Sequence, residues 1–196
     1  MAAARGRPRS FDPDEALKRA TERFRTHGYS GTSLDDLSAA TGLARPSLAA
    51  AFGDKRALYI AAIDRLAGRV ERQLLRLGEL GLPLRAVVER MLFGGIDLYL
   101  TGSEGPEGCL ILNTASTQAA ADPEVRDRLT AFLAMEDARI TELLAAAGSP
   151  MPETHGRIVA AVLHSLSVRA RGGTPRAELE QVARDCVDLV AGPAAG

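Results

Sequence analysis

The apolar residues of this chain recur at intervals of three and four positions, the spacing of an amphipathic helix, in nearly every segment that shows a pattern. Only 4% of the residues are aromatic. No run of four or more β-branched residues alternates between turns in the way that a strand requires. The sequence therefore predicts an all-α protein, and 196 residues are enough to bury a substantial core.

Cap residues, glycines and prolines divide the chain into nine predicted helices. The first begins after Asp12-Pro13 and ends at Gly28, and the second begins after Thr32-Ser33 and ends at Gly42. The others are predicted over residues 45–52, about 55–77, 84–101, 109–120, 123–147, 153–170 and 176–190. The long fourth helix joins two helical layers. We therefore expect a flexible basic arm (1–10), an N-terminal module (11–55) and a C-terminal helical domain (56–196).

The net charge of −1 hides an asymmetry along the chain. Residues 1–56 contain ten Lys and Arg residues and seven Asp and Glu residues, a net charge of +3, so the remainder carries −4. Such an excess suits contact with phosphates only if the charges share one surface. Otherwise it is an ordinary solvated face.

Several classes of function find no support in the sequence. The longest apolar run, residues 57–63, is far shorter than the ~18 residues of a membrane helix, and no apolar signal segment follows the basic first ten residues. We therefore expect a cytoplasmic protein without membrane contact. Cys109 and Cys186 belong to no Cys/His cluster, so neither a metal nor a cofactor is predicted. The three histidines are not spaced as ligands, and no carboxylate or nucleophile is predicted beside them, so no catalytic residue is assigned.

Two very short predicted helices joined by Gly42-Leu43-Ala44 have the length and spacing of a helix-turn-helix, whose second helix lies in the major groove of DNA. A helix of eight residues is marginal alone and must pack on its neighbours. Leu43 and Leu48 are predicted to fill the space between the helices. The outer positions are then Arg45, Ser47, Ala49 and Ala50.

At these residues the chain resembles the TetR family of bacterial transcriptional regulators, over about residues 11 to 63. The resemblance rests on family order and spacing at Phe24, Gly28-Tyr29, Thr32-Ser33-Leu34, Leu37, Gly42-Leu43, Ser47-Leu48, Phe52, Lys55 and Leu58. The chain is most similar to members with an Arg-Gly-Arg-Pro-Arg arm, here residues 5–9, and with Pro-Ser-Leu and Phe-Gly-Asp-Lys segments, here residues 46–48 and 52–55.

The resemblance implies a homodimer whose N-terminal modules read two half-sites of a double-stranded DNA operator, and whose C-terminal helices hold the dimer and an effector pocket. It places Thr32 or Ser33 and Lys55 at phosphates and residues 45, 47 and 49 in the groove. The chain departs from the family at Ala44, where Ser or Thr often caps the helix, and at Ala49, where Tyr or Trp is usual. The candidate DNA-binding residues are Arg5, Arg7, Arg9, Thr32, Ser33, Arg45, Pro46, Ser47, Ala49, Ala50, Phe52 and Lys55.

The roles of four arginines have alternatives. Arg5, Arg7 and Arg9 either enter a narrow minor groove, which attracts arginines, or form a solvated basic tail. Arg45 is the only cation of the predicted recognition helix. It either pairs with a guanine in bidentate fashion or acts as a phosphate clamp or a solvated side chain.

The central helices combine apolar and polar residues in a mixture that suits either a ligand cavity or an ordinary core. Cys109 is predicted to start a helix, whose dipole would lower the thiol pKa and permit a redox or electrophile sensor; the alternative is a buried, inert thiol. The candidate ligand-binding residues, for an unknown small-molecule effector, are Phe93, Ile96, Tyr99, Cys109, Asn113, Thr114, Phe132 and Met135.

The last two predicted helices carry apolar surfaces wider than one stripe. One side of each helix can pack within the subunit and the other against a symmetry mate, as in a four-helix bundle, although a monomer core is the alternative. The candidate dimer residues are Val159, Val162, Leu163, Leu166, Leu179, Val182, Cys186 and Val190.

The leading interpretation is a homodimeric, ligand-responsive transcriptional regulator, a repressor that binds a palindromic operator and is not an enzyme. The second is a helical small-molecule-binding or thiol-reactive sensor without specific DNA recognition, an alternative that the missing aromatic at Ala49 leaves open. An enzyme is the weakest, because no acid/base pair, metal cluster or phosphate loop is found.

Overall fold

A computed structural model describes residues 11–102 and 105–193, and all regular structure within these ranges is helical. The elements, in chain order, are α1 (Pro13–His27), α2 (Leu34–Thr41), α3 (Arg45–Phe52), α4 (Lys55–Glu79), α5 (Leu84–Leu100), a π-helical turn (Ile111–Ala115), α6 (Ser116–Gln118), α7 (Pro123–Ala146), α8 (Pro152–Arg171) and α9 (Arg176–Ala191). The predicted all-α class is confirmed. None of the helices in the described ranges combines the length and apolarity needed to cross a bilayer.

Helix caps account for most of the boundaries. Asp12 accepts a hydrogen bond from the backbone of Asp14 at the start of α1 (2.9 Å), and Asp54 accepts one from Ala57 at the start of α4 (2.8 Å). Ser33 and Asp36 form a reciprocal capping box at the start of α2. These polar side chains satisfy amide groups that the helix itself leaves free, so the helices begin where the sequence predicts.

The first three helices form a small module around Phe24, Leu37 and Leu48, which are all buried. Gly42 ends α2 with a left-handed backbone (φ +71°), a conformation that glycine adopts without strain. This turn sets α3 against α2, while Leu48 points inward and the opposite flank stays at the surface. The predicted helix-turn-helix is therefore confirmed as a structural unit.

The long helix α4 belongs to both halves of the molecule. Near its start it packs against α1 and α3, and further along it packs against α7. Beyond it α7 packs on α8, and α5 packs on both α8 and α9, around a core that includes Leu92, Ile140, Leu166 and Leu179. The helix α4 therefore connects the N-terminal module to the C-terminal helices.

The segment predicted as a helix over residues 109–120 differs from that expectation. Its first part is a π-helical turn, followed by the very short α6. Hydroxyl groups of Thr114 and Ser116 donate to the carbonyls of Leu110 and Leu112, each at 2.8 Å, within this widened turn. Apolar spacing over five residues cannot distinguish this turn from a regular helix, and π turns often mark functional positions.

Ala44 occupies the N-cap position of α3 and forms no side-chain hydrogen bond to the helix. We expect Ala44→Ser to raise the free energy of unfolding by about 0.5–1 kcal/mol, because a hydroxyl would satisfy one free amide at this helix end. Urea denaturation measures the change. Ala50→Ser, a change at an exposed position inside the same helix, should be neutral or slightly destabilising, and equal effects of the two variants would contradict a capping role for the hydroxyl.

Candidate nucleic-acid interface and ligand cavity

The outward flank of α3 presents a set of small side chains and one arginine. Arg45, Pro46, Ser47, Ala49 and Ala50 are all exposed, whereas Phe52 is half-buried and packs against the core. A flank of small residues allows the helix backbone to approach a groove closely, and the arginine supplies the reach and the charge. Five of the sequence-predicted DNA-binding residues therefore lie on the exposed surface of α3.

Arg45 is held by an acid of the preceding helix. Its Nε donates to Asp35 Oδ1 (2.8 Å), and its Nη2 pairs with the second carboxylate oxygen. This hydrogen-bonded pair raises the pKa of Arg45 above its usual value. The pair is exposed to solvent, and such pairs contribute little net stability. Arg45 can therefore exchange Asp35 for a base or a phosphate at small cost.

Thr32 is buried, with 1% of its surface exposed, and its hydroxyl donates to the carbonyl of Gly28 (2.7 Å). The prediction that it contacts a phosphate is therefore wrong, because its only hydroxyl is enclosed and already bonded. Ser33 is exposed at the start of α2, next to the positive end of that helix. Its hydroxyl is shared with Asp36 in the capping box, but of the two alternatives only Ser33 is exposed to a phosphate.

Lys55 lies at the start of α4 with its ammonium 4.2 Å from the centre of the Tyr29 ring. This cation–π contact orients the lysine beside the helix-turn-helix. Tyr29 in turn packs against Phe24 and Tyr59, with the ring centres of Tyr29 and Tyr59 5.0 Å apart. The lysine is therefore positioned by an aromatic cluster that reaches into the core.

Tyr59 carries this cluster into the C-terminal domain. Its hydroxyl lies 2.8 Å from the Thr114 hydroxyl of the π turn, in a buried contact. Sequence reasoning did not identify Tyr59, because its hydrogen-bond partner lies on a distant segment. Thr114 is predicted to contact a ligand; the structure pairs it with Tyr59 instead, and it does not line the cavity between α1, α4, α5, α7 and α8.

A second connection between the domains is polar. Glu107 is 4% exposed and meets Arg25 of α1 at 2.8 Å and the Thr26 hydroxyl at 2.7 Å. Arg171, at the end of α8, donates to the carbonyls of Arg25 (2.8 Å) and Thr26 (3.1 Å). The end of α1 is thereby fixed to the C-terminal domain by charge-assisted hydrogen bonds.

A third connection joins the start of α4 to the start of α7. Arg56 donates to both carboxylate oxygens of Asp122, at 2.6 and 2.8 Å, and contacts Glu124 at 2.8 Å. The hydrogen bonds from Arg56 lower the pKa of Asp122 to about 2. Asp122 is also the cap of α7, so one carboxylate serves both the helix and the link between the domains.

A cavity of about 800 Å³ lies between α1, α4, α5, α7 and α8. Tyr99, Cys109 and Phe132 line it, as the sequence predicts. The other predicted ligand residues do not line it. Ile96 is enclosed in the core, Asn113 bonds to Ser167 (3.1 Å), and the half-buried side chains of Phe93 and Met135 pack elsewhere against the core. Helical spacing identified buried faces but not which of them surround a space.

Glu136 was missed from the sequence, because an acid on a helix usually lies in solvent. It lines the cavity with 5% of its surface exposed and meets His164 Nε2 at 2.6 Å. The expectation that no carboxylate lies beside a histidine is therefore wrong.

Burial raises the pKa of Tyr99, another cavity residue, well above its usual value, so its hydroxyl stays protonated. In the described ranges, no group of three or more potential metal ligands occurs.

Cys109 lines the cavity from a buried position. Burial raises the pKa of its thiol to about 11, which contradicts the lowering expected from a helix dipole. The dipole argument fails because Cys109 precedes a distorted π turn and lies out of solvent. The thiol is therefore neutral near pH 7 and a weak nucleophile.

The candidate dimer residues lie mostly inside the subunit. Six of them are buried in the single chain, namely Val159, Leu163, Leu166, Leu179, Cys186 and Val190. A side chain that is already enclosed cannot bury further area against a second copy, so the assignment of these six to a dimer interface is wrong. Val162 and Val182 are half-buried. The breadth of the apolar surfaces made both sides of each helix plausible as an interface, and packing within the subunit covers the more apolar side.

The helix α3 packs on α2 through Leu48, exposes its opposite flank and carries a basic side chain at its start. This arrangement defines a helix-turn-helix DNA-binding protein. Residues 16–62 match the family described as bacterial regulatory proteins, tetR family, and residues 83–190 match a tetracyclin repressor-like C-terminal domain. The chain belongs to the TetR family and is a DNA-binding transcriptional regulator.

Individual relatives cover nearly the whole chain. The HTH-type transcriptional repressor ComR of Escherichia coli (strain K12) is 32% identical over 92% of this chain and 89% of its own. The TetR family transcriptional regulator CifR, in a cysteine-substituted form complexed with 26-base-pair operator DNA, is 32% identical with a TM-score of 0.81, over 94% of this chain and 100% of that one. Reduced NemR of E. coli, 16% identical over 93% of this chain and 98% of its own, shares the fold with a TM-score of 0.79.

Burial of both thiols makes a prediction about their reactivity. We expect Cys109 and Cys186 to label slowly with iodoacetamide at pH 7 in the native protein, because the pKa of each is raised to about 11. The rate should increase with pH toward that value, as the thiolate forms. Mass spectrometry of Cys109→Ser and Cys186→Ser follows each thiol separately, with urea-unfolded protein as the fast reference. Rapid labelling of Cys109 in the native protein at pH 7 would contradict a buried thiol with a raised pKa.

Proposed function

We propose that this regulator is a homodimeric repressor that binds a palindromic operator and releases it when a small molecule occupies the cavity. It would act in the cytoplasm, without catalysis. The observation that carries the proposal is the exposed flank of α3, which begins with Arg45 and is otherwise made of small side chains. The relative whose structure contains operator DNA supports the same placement of the module.

The proposed DNA contacts divide into two kinds. Arg45, released from Asp35, reads a base edge, while Ser47, Ala49 and Ala50 allow close approach of the helix to the groove. Ser33 and Lys55 contact phosphates on either side, Lys55 from its position on Tyr29. Arg5, Arg7 and Arg9 lie outside the described residues, and their contact with the minor groove stays a prediction.

The proposed dimer uses the outward faces of α8 and α9. Val168 is 57% exposed and Leu189 is 66% exposed, both unusually high for large apolar residues. The same faces carry Ile158, Ala161, Val162, Ser165, Val182 and Asp185, at helical spacing. Burying these faces against a second copy removes apolar surface from water and provides the second module that a palindromic operator requires.

The proposed response to a ligand passes through α4. One wall of the cavity is α4 itself, and the same helix carries Tyr59 and Lys55 at its other end. A ligand that fits one position of α4 better than another shifts the equilibrium between two spacings of the α3 helices. The contacts of Tyr59 with Thr114 and of Glu107 with Arg25 are the points at which the two positions would differ.

The division of DNA contacts predicts distinct effects of two substitutions. We expect Arg45→Ala to reduce the preference for operator over random DNA about tenfold or more, since a base contact is lost. We expect Lys55→Ala to weaken binding to both DNAs alike and to lower the salt dependence, since a phosphate contact is lost. Fluorescence anisotropy at several salt concentrations, with an operator selected from random duplexes, measures both effects.

Arg184→Ala removes an exposed cation far along the chain, on α9, and serves as the control. It should leave both affinities unchanged. This division of roles would be refuted if Arg45→Ala weakened binding to both DNAs alike and Lys55→Ala reduced the preference for operator. The proposed function would be refuted if the selection from random duplexes enriched no palindrome.

The dimer face makes its own prediction. We expect Val168→Glu combined with Leu189→Glu to shift the protein from dimer to monomer in analytical ultracentrifugation, because charges would replace apolar contacts at the interface. Leu75→Glu, at an exposed leucine of α4, is the matched control and should leave the dimer intact. If the double variant dimerised with the same dissociation constant as wild type, the interface would lie elsewhere on the molecule.

A further inference from the structure

The cavity has one apolar wall and one basic rim. Leu66, Val70, Met91, Leu112, Phe132 and Leu163 supply apolar lining. Arg65, Arg69, Arg72 and Arg76 follow one another on α4 at intervals of four, three and four residues, so they form a single stripe, and Arg90 joins them from α5. All five arginines border the cavity.

These five arginines differ from the others in the described ranges. None of the five has a hydrogen bond or an ion pair there, whereas every other described arginine has at least one, for example Arg85 with Asp188 and Arg139 with Glu71. Each of the other described arginines finds a partner along its own helix or on a neighbouring segment. The absence of partners at five positions around one cavity, and at no other described position, is therefore a property of the cavity.

The acids of the lining do not neutralise the rim. Glu22 is engaged by Arg25 at 3.0 Å, and Glu136 by His164 at 2.6 Å. No other acid among the described residues lines the cavity. Like charges on one stripe repel each other, and a cleft with low-dielectric walls concentrates their field. An anion at the rim would relieve this repulsion and accept hydrogen bonds from guanidinium groups that have no partner among the described residues.

The inner end of the cavity is different in character. The Tyr99 hydroxyl lines it and has no hydrogen-bond partner among the described residues. Cys109 and Glu136 lie near it in the same lining, and the Glu136 carboxylate is engaged by His164, so this end suits an apolar body with one polar atom near the tyrosine. The volume of about 800 Å³ is ample for a molecule of several hundred daltons.

We propose that the effector of this regulator is a small amphipathic anion, whose apolar body fills the cavity and whose carboxylate or phosphate group binds the arginines of the rim. The proposal rests on the proposed function, since it names the chemical class that the cavity senses. Arg65, which is half-buried, and Arg69, one turn further along α4, bind the head group most directly. The bidentate geometry of guanidinium suits both oxyanions.

Two fluorescent probes that differ in charge test the proposal. Anilinonaphthalene sulfonate combines an apolar body with an anion, and phenylnaphthylamine has a similar body without the charge. We expect the sulfonate to bind one site per subunit about tenfold or more tightly than the neutral probe. Arg65→Gln combined with Arg69→Gln should remove most of this difference, and should leave binding of the neutral probe within about twofold.

Arg139→Gln is the matched control, because it removes a paired arginine outside the cavity, and it should not change the binding of either probe. Decanoate and decyl phosphate, added as competitors, distinguish a carboxylate from a phosphate head group, and decanol is the neutral comparison. Equal affinity of wild type for the two probes would overturn the proposal. The same holds if neither probe binds, or if the double variant retains the preference for the anion.

The probe measurements use the protein without DNA, and operator binding without a ligand is measured separately on the same proteins. An anion preference without operator binding would contradict the proposed function and leave the cavity chemistry standing. Operator binding without an anion preference would overturn only the amphipathic anion as effector. The double variant should bind operator as wild type does when no anion is present.

Discussion

The buried contact between Tyr59 and Thr114 joins the two halves of this regulator. On one side Tyr59 packs with Phe24 and Tyr29, the aromatic cluster that supports the helix-turn-helix and positions Lys55. On the other side Thr114 belongs to the π turn, which closely follows the cavity residue Cys109 in the chain. The Thr114 hydroxyl also donates to the carbonyl of Leu110, so it is the buried Tyr59 hydroxyl that loses its hydrogen bond when the two residues separate.

Charged contacts reinforce the same junction. Glu107 fastens the end of α1, and Arg56 with Asp122 fastens the start of α4. The recognition helix between these points is held mainly by packing, because α3 lacks a side-chain cap and only Leu48 among its residues is buried. The molecule thus joins its two halves by specific contacts and holds the recognition helix mainly by packing. In the proposed response to a ligand, α4 connects the cavity to that helix.

Much of the fold was predictable because local signals agree with the global packing. The caps at Asp12 and Asp54, the turn at Gly42 and the exposed flank of α3 all follow from short-range chemistry. The sites were less predictable. Thr32 and Cys109 have side chains whose surroundings come from distant segments, and an apolar stripe such as that of Leu163 or Leu179 does not indicate which neighbour covers it. The rim arginines resemble any solvated helix face until the absence of partners is visible.

A double-mutant cycle on operator affinity tests the central claim most directly, with Tyr59→Phe, Thr114→Val and both together. Both residues are buried, so neither can touch DNA, yet each change should alter operator affinity. Their effects should be non-additive by about 0.5 kcal/mol or more, because both remove one shared contact. Ser116→Ala, an exposed change on the neighbouring turn, should have no effect. Additive effects, or unchanged affinity in all three variants, would contradict the claim that this contact couples the cavity domain to DNA.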